Sequence, residues 1–153
     1  MILEIVMDAA RVASGRAYAP YSNFLVGAAI VTTGGAVHVG CNVENASYGL
    51  SICAERNAAA TMVSADPEDR QIQMVAVFSP SAAPCFPCGA CRQFLREFGC
   101  KEVVVEDGSG LRRYPFEEIL PNSFGPEVLC RGVDRRREKE RPQEWLRRGR
   151  RAA

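Results

Sequence analysis

The sequence predicts an α/β fold in three layers (α/β/α), a sheet with helices on both faces. Three observations carry that expectation. The spacing of apolar residues switches repeatedly between helical and strand-like periods. Residues 36–105 read as strand, helix, strand, helix, strand. The chain has 153 residues, 47% hydrophobic and 24% charged, which suits one domain around one core.

The elements follow in order. Ile2, Ile5, Val6, Ala9, Ala10 and Ala13 recur at helical spacing over residues 3–14, and Gly15 ends the helix. Tyr18 to Ser22 is an aromatic turn. Phe24 to Val31 reads as a buried strand, Thr33-Gly34-Gly35 as a turn and Ala36 to Cys41 as the return strand of a hairpin. His38, on that return strand, is expected to be an exposed strand residue and not a ligand. Asn42 to Gly49 is polar and irregular. Ser51 is expected to cap a helix from about Cys53 to Ser64. Met74 to Phe78 is a short strand, followed by a proline-containing loop. A helix starts at Pro87 or Cys88 and stops at Gly99. Glu102 to Val105 and Leu111 to Tyr114 are strands, and Phe116 to Leu120 is a short helix. The domain is placed at residues 1–130. Residues 131–153 form a basic tail, expected to be solvated and flexible, with Trp145-Leu146 as its one apolar anchor.

Charge narrows the function classes. The net charge is +1. Residues 131–153 hold ten Arg or Lys against four Asp or Glu, so residues 1–130 hold nine against fourteen. An acidic body is poorly suited to gripping a phosphate backbone, so a nucleic-acid partner is not expected. No apolar run approaches the roughly 18 residues that cross a membrane. The N-terminal stretch carries acids and lacks a basic start, unlike a signal peptide. Seven cysteines without an export signal then point to a reducing cytoplasm, where thiols bind metal or stay free.

The chemistry concentrates in Cys53-Ala54-Glu55 and Pro87-Cys88-Gly89-Ala90-Cys91. Cys88 and Cys91, three apart in a first helical turn, share a face. Cys53 opens the other helix. If the two helix starts meet, three thiolates converge at positive helix ends, which favours their ionisation. One Zn²⁺ can take three sulfurs and leave its fourth position for water, whose pKa it brings from about 15.7 towards about 7. Glu55, two residues from Cys53, is then placed to relay protons. Spacing alone leaves another reading open. Cys85, Cys88 and Cys91 recur every three residues and could close a structural four-cysteine site with Cys53. Cys-Ala-Glu followed by Pro-Cys-x-x-Cys matches the zinc deaminase signature, with Cys in place of the usual His. Arg56 is placed to offset the net −1 of three thiolates on Zn²⁺.

Four motifs then resemble one family. Tyr18 to Phe24, Gly40 to Gly49, Cys53-Ala54-Glu55-Arg56 and Pro87 to Gln93 are similar to the cytidine deaminases, in their small homotetrameric, three-cysteine form. The likeness covers about residues 5–130 and includes Leu120 to Gly125. It implies a mixed five-stranded sheet, and zinc on Cys53, Cys88 and Cys91. It implies substrate contacts from Phe24, Asn42, Glu44, Ala54, Tyr48 and Phe124, with Asn42 and Glu44 on the ribose hydroxyls. Tyr48 and Phe124 would cross to a neighbouring chain of a homotetramer. The implied reaction turns cytidine or deoxycytidine into uridine or deoxyuridine plus ammonia, within pyrimidine salvage, with Glu55 as base and then acid. Phe86 stands where a small residue is common in that family, and Cys85 precedes it. The competing readings are a deaminase of a modified cytosine nucleoside or antibiotic, a nucleic-acid editing deaminase, and a non-catalytic zinc-stabilised binding module.

Overall fold

The computed structural model describes residues 2–129, so the predicted tail with Trp145 and Leu146 lies outside the described residues. Residues up to Ser123 form one compact unit holding the whole sheet. Its elements are α1 (Ile2–Ser14), β1 (Gly27–Thr32), β2 (Val37–Cys41), a 3₁₀ turn (Tyr48–Leu50), α2 (Ala54–Ala65), β3 (Ile72–Phe78), α3 (Gly89–Glu97), β4 (Glu102–Asp107), β5 (Gly110–Pro115) and α4 (Phe116–Ile119). Residues from Phe124 belong to a second unit, whose described part holds the short helix α5 (Pro126–Leu129).

The sheet has five strands in the order β2-β1-β3-β4-β5. β3 and β4 are parallel, joined through α3, and every other pair is antiparallel. The sheet is therefore mixed, as the family resemblance implied. Alternation along the strands builds two cores. Ala28 and Ile30 of β1, Val75 and Val77 of β3, and Val103 and Val105 of β4 pack with Ala58, Met62 and Leu95 of α2 and α3. Ala29, Val31, Ala76 and Val104 point the other way, onto Val6, Met7 and Ala10 of α1. A register shift between Val31 and Thr32 lets Ile72 and Met74 serve opposite cores.

The helix predicted over 3–14 is present, but Ile2 and Ile5 are each 61% exposed. The sheet-facing stripe is Val6, Met7, Ala10, Ala13 and Ser14. The rotation is set at Gly27, where a Cβ would lie 2.0 Å from Ala10 O and 2.4 Å from Ser14 N. The strand expected from Phe24 begins at Gly27 instead. Asn42 accounts for the difference. Its side-chain Nδ2 donates to Phe24 O at 2.8 Å, and its Oδ1 accepts from Val26 N–H at 2.8 Å. Those groups are thus bound to a side chain, not to a strand ladder. Ser51 does not cap α2. Cys53 is the N-cap, and Ser51 Oγ accepts from Asn45 N–H at 3.1 Å. His38 is half-buried on β2 and joins no metal-binding cluster.

Gly40 of β2 fixes the seat of α2. A Cβ there would lie 2.3 Å from Ala58 N and 2.7 Å from Ala54 O, both backbone atoms. Gly40→Ala is therefore expected to destabilise the fold by ~1–3 kcal/mol, the range for overpacking. Gly108→Ala, with nothing within 4 Å of its Cβ position, serves as the control. Chemical denaturation of both variants checks this. Equal midpoints would show that α2 does not depend on that close approach.

Candidate active site and metal centre

One end of the sheet gathers every motif of the main unit. Gly27 pairs with both Cys41 and Phe78, so the start of β1 and the ends of β2 and β3 lie side by side. Phe24 precedes that edge, Asn42 and Glu44 follow β2, and the loop after β3 leads to Cys88. Ligands in α/β sheets collect at such edges, where chain segments leave the sheet in different directions.

Two helices begin over this edge, each with a cysteine as N-cap: Cys53 for α2 and Cys88 for α3. Cys91 sits one turn into α3 and is fully buried. Cys53 Sγ and Cys88 Sγ are 3.9 Å apart, and all three sulfurs lie within 4.8 Å of one another. Tetrahedral zinc with bonds of about 2.3 Å holds its sulfurs about 3.8 Å apart. The donor set therefore fits with adjustments of at most about 1 Å. Among the described residues, no other three His, Cys, Asp or Glu donors cluster this way. Cys85 does not join them, so the four-cysteine arrangement is not formed. Burial pushes its thiol up to about 11, which disfavours the thiolate a ligand needs.

The charges around the sulfurs are ordered. The hydrogen bond from Cys91, then those from Arg56 and Cys88, pull Cys53 down to about 5 against the effect of burial. Cys91 is pushed up as the buried donor of that bond. Arg56 Nη2 donates to Ser51 O at 3.1 Å and lies 3.9 Å from Cys53 Sγ. Its Nε is buried with no hydrogen-bond partner. A cation held this way suits an anionic thiolate cluster. Glu55, in the first turn of α2, is only 4% exposed. Burial raises its pKa, and the Cys53 charge adds to the rise. A carboxyl group in that state can hold a proton closer to neutral pH than an exposed one.

A cavity of about 400 Å³ opens beside the sulfurs, large enough for a small ligand. Cys53, Ala54, Glu55 and Cys88 line it together with Phe24, Asn42 and Glu44. All but three of the residues expected at the site thus meet in one place. Tyr48 lines an adjoining hollow of about 300 Å³ with Tyr21, Ser22, Glu44 and Ser51. Arg56 stands behind the sulfurs. Phe124 belongs to the second unit and is exposed. Ser22 escaped the sequence reading, although it lies inside the quoted Tyr18–Phe24 motif. Its N–H, with that of Tyr21 at 2.9 Å, donates to Glu44 Oε2, and its hydroxyl donates to Glu44 Oε1. These bonds, the Ser22 hydroxyl first, hold the Glu44 carboxyl below the usual carboxylate range. Cys85 and Phe86 also line the cavity. The Phe86 ring turns edge-on to Tyr114, with centroids 5.1 Å apart.

Residues 2–107 match the family described as the cytidine and deoxycytidylate deaminase zinc-binding region. A probable cytidine deaminase of Dictyostelium discoideum is 42% identical over 130 residues, spanning 83% of this chain and 86% of that protein. The cytidine deaminase of Mycobacterium tuberculosis is 39% identical over 124 residues, spanning 81% and 90%. The crystal structure of cytidine deaminase from Burkholderia pseudomallei superposes with a TM-score of 0.72 at 44% identity, covering 79% of this chain and 98% of that one.

Metal analysis of purified protein is expected to find one zinc per chain. Cys53→Ser, Cys88→Ser and Cys91→Ser should each lose it, while Cys85→Ser and Cys100→Ser should keep it. Zinc lost from Cys85→Ser would restore the four-cysteine alternative.

Proposed function

The chain belongs to the family of cytidine and deoxycytidylate deaminases, and we propose that its cavity hydrolyses cytidine or deoxycytidine to uridine or deoxyuridine and ammonia. The observation that carries this reading is the placement of buried Glu55 beside three converging thiols at the end of one nucleoside-sized cavity. Cys53, Cys88 and Cys91 would hold zinc, which would supply a Lewis acid and bring the pKa of water towards about 7. Glu55 takes a proton from the attacking water on its carboxylate and passes it to ring N3. It then takes the remaining proton from the new C4 hydroxyl and delivers it to the 4-amino nitrogen; the C4–N bond breaks, C4=O forms and ammonia leaves. A single carboxylate serves as base and then acid, and its burial keeps both states accessible. Arg56 offsets the excess charge of the three thiolates.

Asn42 and Glu44 are assigned to the ribose hydroxyls. Each already spends part of its capacity on the protein, Asn42 on Phe24 and Val26, Glu44 on Tyr21 and Ser22. That anchoring orients them, and each keeps an unused lone pair or N–H for a ligand. A Glu44 carboxylate held ionised accepts from a hydroxyl and repels a phosphate. Phe24 and Ala54 flank the base. Tyr48 and Phe124 are assigned to a pocket shared between chains of a homotetramer. The support is exposure: Tyr48 is 76% exposed, against Tyr21 at the cavity rim, and Phe124 is 57% exposed. An apolar rim of that kind suits an interface. A reducing cytoplasm and a role in nucleoside salvage fit six free thiols among the described residues and a free-nucleoside substrate. Residues 1–130 are taken as the deaminase domain and 131–153 as a tail that turnover does not need.

Glu55→Gln should keep zinc and fold but lower turnover ~10²–10⁴-fold, the range for a general acid–base. Full activity with zinc bound would remove Glu55 from the mechanism. Absorbance assays across cytidine, deoxycytidine, their 5′-monophosphates, adenosine and single-stranded DNA should show the two nucleosides turned over far faster than the rest. A comparable rate on cytidine monophosphate would contradict the assignment of Glu44. Light scattering should report a tetramer, and Phe124→Ala should raise KM with zinc retained. A fully active monomer would end the shared-pocket reading.

A further inference from the structure

Both peptide carbonyls that flank Cys88 are held by one residue. The backbone N–H of Arg92 donates to Cys88 O at 2.9 Å, the first bond of α3. Its side-chain Nε donates to Pro87 O at 2.8 Å, and its Nη1 donates to Ile119 O at 2.9 Å. Both side-chain acceptors need an outside partner. Pro87 is fully buried and precedes the helix, so its carbonyl has no place in the helical ladder. Ile119 ends α4, where carbonyls are left without intrahelical donors. Charge-assisted bonds of this kind are roughly twice as strong as neutral ones.

Beyond the neighbouring sulfurs of Cys53 and Cys91, Cys88 has little to aim it. Its side chain is exposed and makes no capping bond, although it occupies the N-cap with φ −68° and ψ 168°. The backbone therefore sets where its thiol meets those sulfurs, and the carbonyls on each side of Cys88 are tied to Arg92. We propose that Arg92 is a positioning residue of the metal centre. Its guanidinium, spanning Pro87 O and Ile119 O, sets the backbone of Cys88 and with it the direction of one metal-binding sulfur. The proposal rests on the zinc reading above. It gives Arg92 a task distinct from that of Arg56, whose guanidinium lies against a sulfur. Arg92 spends its side-chain hydrogen bonds on carbonyl oxygens and acts through geometry.

The test uses Arg92→Lys and Arg92→Gln in the full chain. Lysine keeps the charge but presents a single point donor that cannot span both carbonyls; glutamine removes the charge as well. Zinc transfer to a chromogenic chelator should be about 10–100-fold faster from both variants, the range seen when partners of metal ligands are lost. Cobalt-substituted variants should show weakened sulfur-to-cobalt absorption. With zinc in excess, kcat should fall while KM for cytidine changes little. Wild-type zinc release and cobalt spectra in a folded variant would overturn the proposal. Loss of fold in both variants would overturn it too, since Arg92 would then serve the whole domain. Wild-type protein that takes up no zinc would instead refute the metal reading itself.

Discussion

The site depends on two helix starts being held against one edge of the sheet. Gly40 leaves only backbone between β2 and α2, and this places Cys53 where Cys88 can reach it. Helix N-termini normally take Ser, Thr, Asp or Asn as caps, worth about 1 kcal/mol each. Here both caps are cysteines without side-chain cap bonds. Some helix stability is forgone so that sulfur can face the gap between the helices. The same geometry directs unpaired N–H groups of both first turns at that gap, which favours anions there.

Charge balance follows from this arrangement. Three thiolates and a divalent cation leave a negative excess, and the nearby Glu55 would add to it if ionised. Burial keeps Glu55 able to hold a proton, and Arg56 supplies a cation within reach of Cys53. The second carboxyl of the cavity lining has a different character. Glu44 is half-buried, and hydrogen bonds from Ser22 and Tyr21 hold it ionised. A carboxyl poised for proton transfer and a carboxylate poised for hydroxyls thus share one cavity, separated by environment.

Much of the fold was readable because its signals are local. Short apolar runs bounded by turn residues marked the five strands, and Pro87 marked the start of α3. The start of β1 was not readable. Phe24 to Val26 has the pattern of a strand, but Asn42, which is distant in sequence, takes its hydrogen bonds. The outward turn of Ile2 and Ile5 was hidden for a similar reason, since the rotation of α1 is fixed by contact with Gly27. The sulfur cluster and Glu55 were legible through motif spacing. The anchoring of Glu44 by Ser22 was not, because it is a side-chain pairing across 22 residues. Arg92 lay within a recognised motif, yet its reach to Ile119 could not be read without the placement of α4 against β4 and β5.

The central claim is that three sulfurs bind zinc and leave one position for a small ligand. X-ray absorption at the zinc edge of the purified, metal-loaded protein tests it most directly. Three sulfurs at about 2.3 Å and one lighter oxygen or nitrogen scatterer at about 2.0 Å are expected. A shell of four sulfurs would contradict it and make the zinc structural.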